Sequence, residues 1–402
     1  MKLFLIAGEA SGDKLGAALM AAMKRLRPEV RFHGVGGPLM QAEGLVSLFP
    51  MEELSVMGLA EVLPKYVHLK RRIRETAQAA LEVAPDAVIG IDSPDFCLRV
   101  ARLVRDQRPG QRMIHYVAPS VWAWRPGRAQ KMAKVIDHVL ALLPFEPPYM
   151  QAAGMTCDFV GHPVVSEPRA TPAEAAAFRA ALGLAPGAPL VLALPGSRRG
   201  EVARLAPRFG AALGPVIAAH PQARVVVPRV RGSADLVAAL AADWPGQPLL
   251  LDPADQMAKR AAFAAADVAL AASGTVSLEL AANAVPMVIA YDFNWLSRQI
   301  IWRMVRVDTV TLVNLVTESK AVPEFLGADC RPEPIAQALL ALLPEGAARA
   351  AQDAAMAETM RRLGAGGPPP GERAARSVLA ALGLSVEPAQ QGAADGEGAP
   401  TG

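Results

Sequence analysis

The chain has 402 residues, room for two domains, and 52% of them are hydrophobic, enough to fill a core in each. Its formal net charge of +3 is too small to point to nucleic acid as a partner. Cys97, Cys157 and Cys330 show neither metal-ligand spacing nor the even count of a disulfide framework, which suits a reducing cytoplasm.

The opening MKLFLIAGEASGD has an apolar run too short for a signal-peptide core. No run of about 18 apolar residues follows, so no membrane-spanning helix is expected. Short apolar strands then alternate with helical stretches. Strands are predicted at Lys2–Ala7, Arg31–Val35, Ala87–Ile91, Met113–Val117, Val139–Leu142 and Cys157–Val160. Helices are predicted between them near Lys14–Leu26, Pro38–Glu43, Leu59–Ala84, Phe96–Gln107 and Ala129–Ile136. Prolines at 163, 168 and 172 punctuate a linker.

A second series follows, with strands at Leu190–Leu194, Ala223–Val227, Pro248–Leu251, Val268–Ala271, Pro286–Ala290 and Val310–Leu312. Its helices fall near Val202–Ala219, Ser233–Ala242, Met257–Ala265, Thr275–Ala284, Trp295–Val305, Pro334–Leu343 and Ala348–Leu363. The breaker GAGGPPPGE and a short helix at Arg373–Leu382 come last, before a tail without apolar periodicity. The pattern predicts an α/β protein with two doubly wound, Rossmann-like parallel-sheet domains facing a cleft. The divisions are 1–168, 169–363, a linker and terminal helix at 364–384, and a disordered tail at 385–402. The terminal helix can return to the first domain of its own chain or of a partner, so a homodimer is one arrangement it allows.

Open α/β sheets bind ligands beyond the carboxyl ends of their strands, so the strand ends carry the chemistry. GEASGD, after the first strand, carries Glu9 and Asp13, and such acids repel a phosphate. Glu9 suits hydroxyl binding or proton transfer, and Asp13 suits either function or stabilisation of a helix start. Asp92, in GIDSPDF, comes at a last strand position, where a general base needs to stand; an Asx cap is the bland alternative. Asp95 reads as an acid at a helix start.

HYVAPSVWAWRPGRAQKMAK joins two tryptophans to Arg125, Arg128, Lys131 and Lys134, a mixture that binds sugars, bases or anionic headgroups, or only anchors a loop. LPGSRRGEV places Gly196, Ser197 and Arg198 where a helix N-terminus points, which makes it the better anion site. It lacks the lysine and spacing of a Walker loop. ASGTVSLE repeats the arrangement with Ser273, Gly274 and Thr275. Glu279 lies one turn further, placed to take both hydroxyls of a ribose. The histidines show no metal spacing, and His162 stands at the domain junction. In residues 51–77, Val56, Met57, Leu59, Val62, Leu63, Tyr66, Val67 and Leu69 mix with Lys65, Lys70, Arg71, Arg72 and Arg74. The pattern fits an interfacial helix, but by itself it favours an amphipathic core helix with a solvated basic end.

Taken together and in order, AGEASGD, MEELSVMGLAEVL, GIDSPDF, HYVAPSVWAWRPGR, LLPFE, FVGHP, LPGSRRGEV, ASGTVSLE and LVNL resemble the lipid-A-disaccharide synthases, glycosyltransferases of GT-B fold (family 19). The resemblance covers roughly residues 1–382. It departs at Ala10, where threonine is frequent, and at Ser93, where alanine is frequent; neither change removes a functional group.

The resemblance implies transfer of 2,3-diacylglucosamine from its UDP derivative to the 6-hydroxyl of 2,3-diacylglucosamine 1-phosphate. UDP and a β-1',6-linked disaccharide phosphate are the products. It implies Asp92 as the catalytic aspartate, with Arg198 near the diphosphate and Glu9 and Ser11 in the first turn. Glu279 and Asn314 match further functional positions, and the second domain holds UDP. Inversion without a metal or other cofactor is expected. So is residence on the cytoplasmic face of the inner membrane of a Gram-negative bacterium, with Val62, Leu63, Tyr66, Leu69, Lys70, Arg71 and Arg72 as the membrane contact. Three alternatives stay open from the residues: another GT-B UDP-sugar enzyme (an epimerase or a soluble-acceptor transferase), a nucleotide-sugar-binding regulator without turnover, and a dinucleotide oxidoreductase. The last predicts G-x-G-x-x-G after a strand, and Gly8–Asp13 lacks it.

Overall fold

Runs such as Leu3–Ala7 and Leu190–Leu194 are apolar at every position, so one polar face cannot meet water; such strands belong inside parallel sheets covered on both sides. The computed structural model describes residues 1–54, 59–125, 127–292 and 308–385, with the backbone alone over 59–66. Strands β1 (Lys2–Ala7), β2 (Arg31–Val35), β3 (Val46–Ser47), β4 (Ala87–Ile91), β5 (Arg112–Tyr116), β6 (His138–Ala141) and β7 (Thr156–Phe159) form one sheet. Its order is β3-β2-β1-β4-β5-β6-β7, parallel throughout.

Strands β8 (Leu190–Leu194), β9 (Arg224–Pro228), β10 (Leu249–Leu251), β11 (Val268–Ala271), β12 (Met287–Tyr291) and β13 (Glu324–Leu326) form the second, ordered β10-β9-β8-β11-β12-β13 and again parallel. Chain order reverses between β1 and β4 in the first sheet and between β8 and β11 in the second. These are the two topological switch points, where a parallel sheet opens a crevice for ligands.

Close packing fixes the crevice in the first sheet. A Cβ on Gly12 would lie 3.3 Å from the Ile91 carbonyl, and one on Gly16 would lie 3.0 Å from Ile91 Cδ1, so the Ala10–Leu26 helix lies directly on β4. Asp13 does not serve its own helix. Its buried carboxylate accepts the backbone N–H groups of Gly37 (2.9 Å), Leu39 (3.0 Å) and Met40 (2.9 Å), and so caps the Pro38–Ala42 helix. Three donors would be stranded by Asp13→Ala. We expect that variant to lose about 2–4 kcal/mol of stability in urea unfolding, and a loss under about 0.5 kcal/mol would contradict this role.

The Pro370–Ala381 helix docks on the Ala10–Leu26 helix of the same chain, burying Ala374, Ala375, Val378 and Leu379 with Leu15, Leu19 and Met23. Gly371 allows the approach, because a Cβ there would stand 2.7 Å from the Ala18 carbonyl. Ser377 adds polar ties to His138 (2.7 Å) and Asp158 (2.6 Å).

The halves also meet through apolar packing. Leu143 and Val164 belong to the core under the second sheet, and Trp122, Phe145 and Val165 press against it. The Trp122 and Phe145 rings meet edge to face at 5.1 Å. Glu146 is buried among them and accepts from Leu143 N (3.0 Å), Leu142 N (3.2 Å) and Trp122 Nε1 (3.4 Å). Burial pushes its carboxyl up to about 7, despite the opposing hydrogen bonds.

A raised carboxyl gives stability that is full below the unfolded pKa and is lost as pH rises through the folded one. We therefore expect stability to fall from about pH 4.5 towards about pH 7 through this group. Glu146→Gln should flatten that part of the curve of urea midpoint against pH; an unchanged slope would assign the dependence elsewhere.

Some segments differ from expectation. Val310–Leu312 is not a strand: Thr309 Oγ1, Val310 N and Thr311 N donate to the Glu324 carboxylate at 2.6, 3.1 and 2.7 Å, and Leu312 starts a helix instead. The sheet ends instead in β13, a strand too short to stand out as an apolar run. Pro172, expected to punctuate a linker, opens a helix at Pro172–Ala181 with a complete capping box from Thr171 and Glu174. The helix expected at Trp295–Val305, the tail after Ser385, and Val56 and Met57 lie outside the described residues. Among the described residues no helix is long and apolar enough to cross a membrane.

Candidate active site

Each switch point ends in a pair of turns, and the first pair carries acids. Glu9 precedes the Ala10–Leu26 helix in extended conformation, without a side-chain cap bond. It is half-buried, and burial raises its pKa; the charge of Asp92 raises it further, while Arg198 lowers it. One carboxylate thus feels an acid of its own sheet and a guanidinium of the second domain. Ser11 is exposed in the first turn of the same helix.

Across the switch point, Asp92 and Ser93 hold φ of 52° and 43°, two successive non-glycine residues in the left-handed region. Each costs on the order of 1–3 kcal/mol, and such strain collects where a side chain must be aimed. Two contacts secure the turn. Asp92 N–H donates to the Tyr116 carbonyl at 2.9 Å. Gly8 leaves room for Ser93, since a Cβ on Gly8 would stand 2.6 Å from Ser93 Oγ. The Asp92 carboxylate is half-buried and makes no Asx cap, and among the described residues it has no hydrogen bond or ion pair. Asp95 is exposed and only 4.0 Å from Arg128, in keeping with its reading as a solvated acid at a helix start.

The second switch point carries the phosphate-type turns. Gly196 has φ of 113°, and Arg198 is the exposed residue before the Arg199–Ala219 helix. Sequence reasoning missed Glu201. It is buried, its Oε2 accepts the Ser197 N–H at 2.9 Å, and it presses on Gly196 and hydrogen-bonds Tyr291. The Ser197 amide, offered by the sequence as an anion donor, is thus engaged by this carboxylate. A signal for it exists in the sequence: Glu201 is the third helical residue, the position from which an acid reaches back to a helix start.

Both turns line one cavity of about 810 Å³, together with Arg229, Arg231, Gln256, Phe263 and Glu279. Gly274 has φ of 141°, and a Cβ there would meet nothing within 4 Å, so its backbone faces open space. The Ser273 hydroxyl donates to the Val310 carbonyl at 3.4 Å, and Thr275 is exposed at the rim. Glu279 reaches the cavity while one oxygen holds Lys259 at 2.7 Å, and Lys259 lies 5.3 Å from the Phe263 ring centre.

Asn314 stands apart from these turns. It is buried and does not line the cavity. Its amide donates to Val322 O (2.9 Å) and Thr309 Oγ1 (3.2 Å), and its oxygen accepts from Val322 N (3.0 Å), which spends it on tying the 309–322 segment together. His162 is structural as well. Its Nδ1 accepts the Val164 N–H at 3.2 Å, and burial drives its pKa down to about 4, so it stays neutral.

The basic helix Leu59–Val83 is mixed. Val67 is 78% exposed, Lys70 and Arg71 are exposed, and Leu69 is half-buried. Arg72 does not fit a membrane contact. It forks onto Glu53 (2.8 Å twice), bonds Glu75 (2.8 Å) and lies 4.4 Å over Phe49. The side chains of Val62, Leu63 and Tyr66 lie outside the described residues.

The profile of the lipid-A-disaccharide synthetase family matches residues 3–366. The chain is 66% identical over 385 residues to a lipid-A-disaccharide synthase of Ruegeria pomeroyi, covering 94% of this chain and 95% of that one. It is 50% identical to that of Rhodospirillum centenum, covering 98% of each. Among solved structures, a UDP complex of MnaA from S. aureus matches with a TM-score of 0.67 at 13% identity, over 96% of this chain and 98% of that one. MurG of Acinetobacter baumannii matches at 0.52 and 15% identity, over 90% and 94%. The two parallel-sheet domains are thus a GT-B fold. The chain belongs to the lipid-A-disaccharide synthase family, glycosyltransferases of lipid A biosynthesis.

Proposed function

We propose that the chain transfers 2,3-diacylglucosamine from its UDP derivative to the 6-hydroxyl of 2,3-diacylglucosamine 1-phosphate, with inversion and without a metal. The observation that carries this reading is the pairing of unlike turns. The first domain offers a carboxylate with no partner among the described residues, Asp92, on a strained turn beside Glu9; the second offers Arg198 and small-residue turns above a large cavity.

Asp92 takes the proton of the 6-hydroxyl as that oxygen attacks the anomeric carbon, and the bond to the diphosphate breaks on the opposite face. Arg198 and the backbone at Ser273–Thr275 meet the charge that develops on the leaving UDP, the work a metal ion does in other transferases. Glu279 takes the ribose hydroxyls. Glu9, with its carboxyl raised by burial, and Ser11 orient the sugars. Both substrates carry acyl chains, so the exposed Val67, Lys70 and Arg71 rest on the anionic cytoplasmic face of the inner membrane.

The test is incubation of the purified chain with both substrates in EDTA. Disaccharide phosphate and UDP should form in equal amounts. UDP without disaccharide, epimerised donor alone, or complete dependence on added metal would defeat the reading.

A further inference from the structure

The loop after β5 is not used by the mechanism above, yet it begins beside its centre. Asp92 N–H bonds to the Tyr116 carbonyl, so residue 117 leaves the sheet next to the base. The loop is strained at both ends: Val117 has φ of 86° and Arg125 has φ of 52°. For a β-branched residue such a φ is a genuine outlier. What the strain sets up is a stack. Trp124 is 37% exposed, and the Arg125 guanidinium carbon lies 4.3 Å from its ring centre and that of Arg128 6.0 Å away.

Two cations on one indole repel each other, and little on the protein offsets this. Arg125 has no carboxylate partner among the described residues. Among the described residues the one carboxylate near Arg128 is that of Asp95, at 4.0 Å and with its side chain 91% exposed, a pair worth little in water. Asp95 is three residues from Asp92, a span of about 11 Å at most. Both forks therefore lie at the same carboxyl end of the first sheet as the base, and among the described residues no hydrogen bond engages their donors. Such an arrangement suits a doubly charged phosphate monoester, which two guanidinium forks held on one indole can grip.

Resting on the proposed function, we infer that Arg125 and Arg128, stacked on Trp124, bind the 1-phosphate of the acceptor. They turn the sugar so that its 6-hydroxyl reaches Asp92. The donor's diphosphate has its own site at Arg198, in the other domain.

The experiment compares two short-chain, micelle-free acceptors, 2,3-diacylglucosamine 1-phosphate and its dephosphorylated form, in the wild type and in Arg125→Ala/Arg128→Ala. The wild type should prefer the phosphorylated acceptor in kcat/KM. The double variant should lose that preference by ~30-fold or more, as expected for two charged hydrogen-bonding groups, while KM for the UDP donor stays the same. Arg125→Lys/Arg128→Lys should restore part of the preference.

An equal fall on both acceptors, or a shift in donor KM, would mean that the stack only shapes the loop, and would overturn the inference. So would a wild type indifferent to the phosphate. A loss seen only on anionic vesicles, and absent with the soluble acceptors, would make the stack a headgroup contact and also overturn it. If the wild type forms no disaccharide from either acceptor, the proposed function itself fails and the inference with it.

Discussion

Asp92→Asn should cut turnover by about 10²–10⁴-fold, the usual worth of a general base, while donor affinity stays within about threefold. The substitution is a clean one for physical reasons. Asparagine is nearly isosteric and, like aspartate, tolerates the left-handed φ of 52° found here. The side chain has no hydrogen bond to lose among the described residues, so the fold should hold. Loss of its charge also removes a repulsion that raises the Glu9 carboxyl, so any titration of Glu9 should move down. Turnover and donor binding measured on one preparation separate the two roles. Retention of more than about a tenth of wild-type turnover would remove Asp92 from the role of base.

Arg198→Ala should act on the other half of the reaction. Its guanidinium is exposed at the cavity, so stability should barely change. The kcat/KM should fall by about 10²–10³-fold, as when a preorganised donor to developing charge is removed. UDP should bind about tenfold or more weakly. Arg198→Lys should recover only part of this, because an ammonium cannot fork onto a diphosphate. Arg198 also lowers the Glu9 carboxyl, so the alanine variant should shift a Glu9-linked acid limb to higher pH. Calorimetry with UDP and a pH profile check both. Undiminished UDP affinity would move the diphosphate away from this turn.

The sequence alone carries much of the fold and of the site. Fully buried parallel strands read as unbroken apolar runs, so β1, β4, β8 and β11 and the turns that follow them are found within a residue. Because ligands gather where strand order reverses, those turns alone nominate Glu9, Asp92, Arg198 and Ser273–Thr275.

What the sequence hides depends on partners distant along the chain. Asp13 looks like an acid for its own helix, but its three donors come from residues 37–40. Asn314 lies in a motif of the family, and its side chain bonds Val322 and Thr309, contacts no local pattern announces. Glu324 converts an apparent strand at 310–312 into an anchored turn, an effect that no local pattern announces. Two features are local and do have a readable signal: the capping box at Thr171 and Glu174, and the acid at Glu201 reaching back over its helix start. The same reach explains why the glycine turn at 196 is less open to an anion than its composition suggests.

The proposed reaction is an inverting displacement in which Asp92 takes the proton of the 6-hydroxyl of one sugar as it attacks the anomeric carbon of another. The measurement that meets it most directly is the proton NMR spectrum of the purified disaccharide, made from the α-linked UDP donor. One new anomeric signal is predicted, with the large coupling of a β bond and a through-bond correlation to carbon 6 of the acceptor. An α bond, or attachment at any other hydroxyl, would contradict the placement of Asp92 and the division of labour between the two switch points.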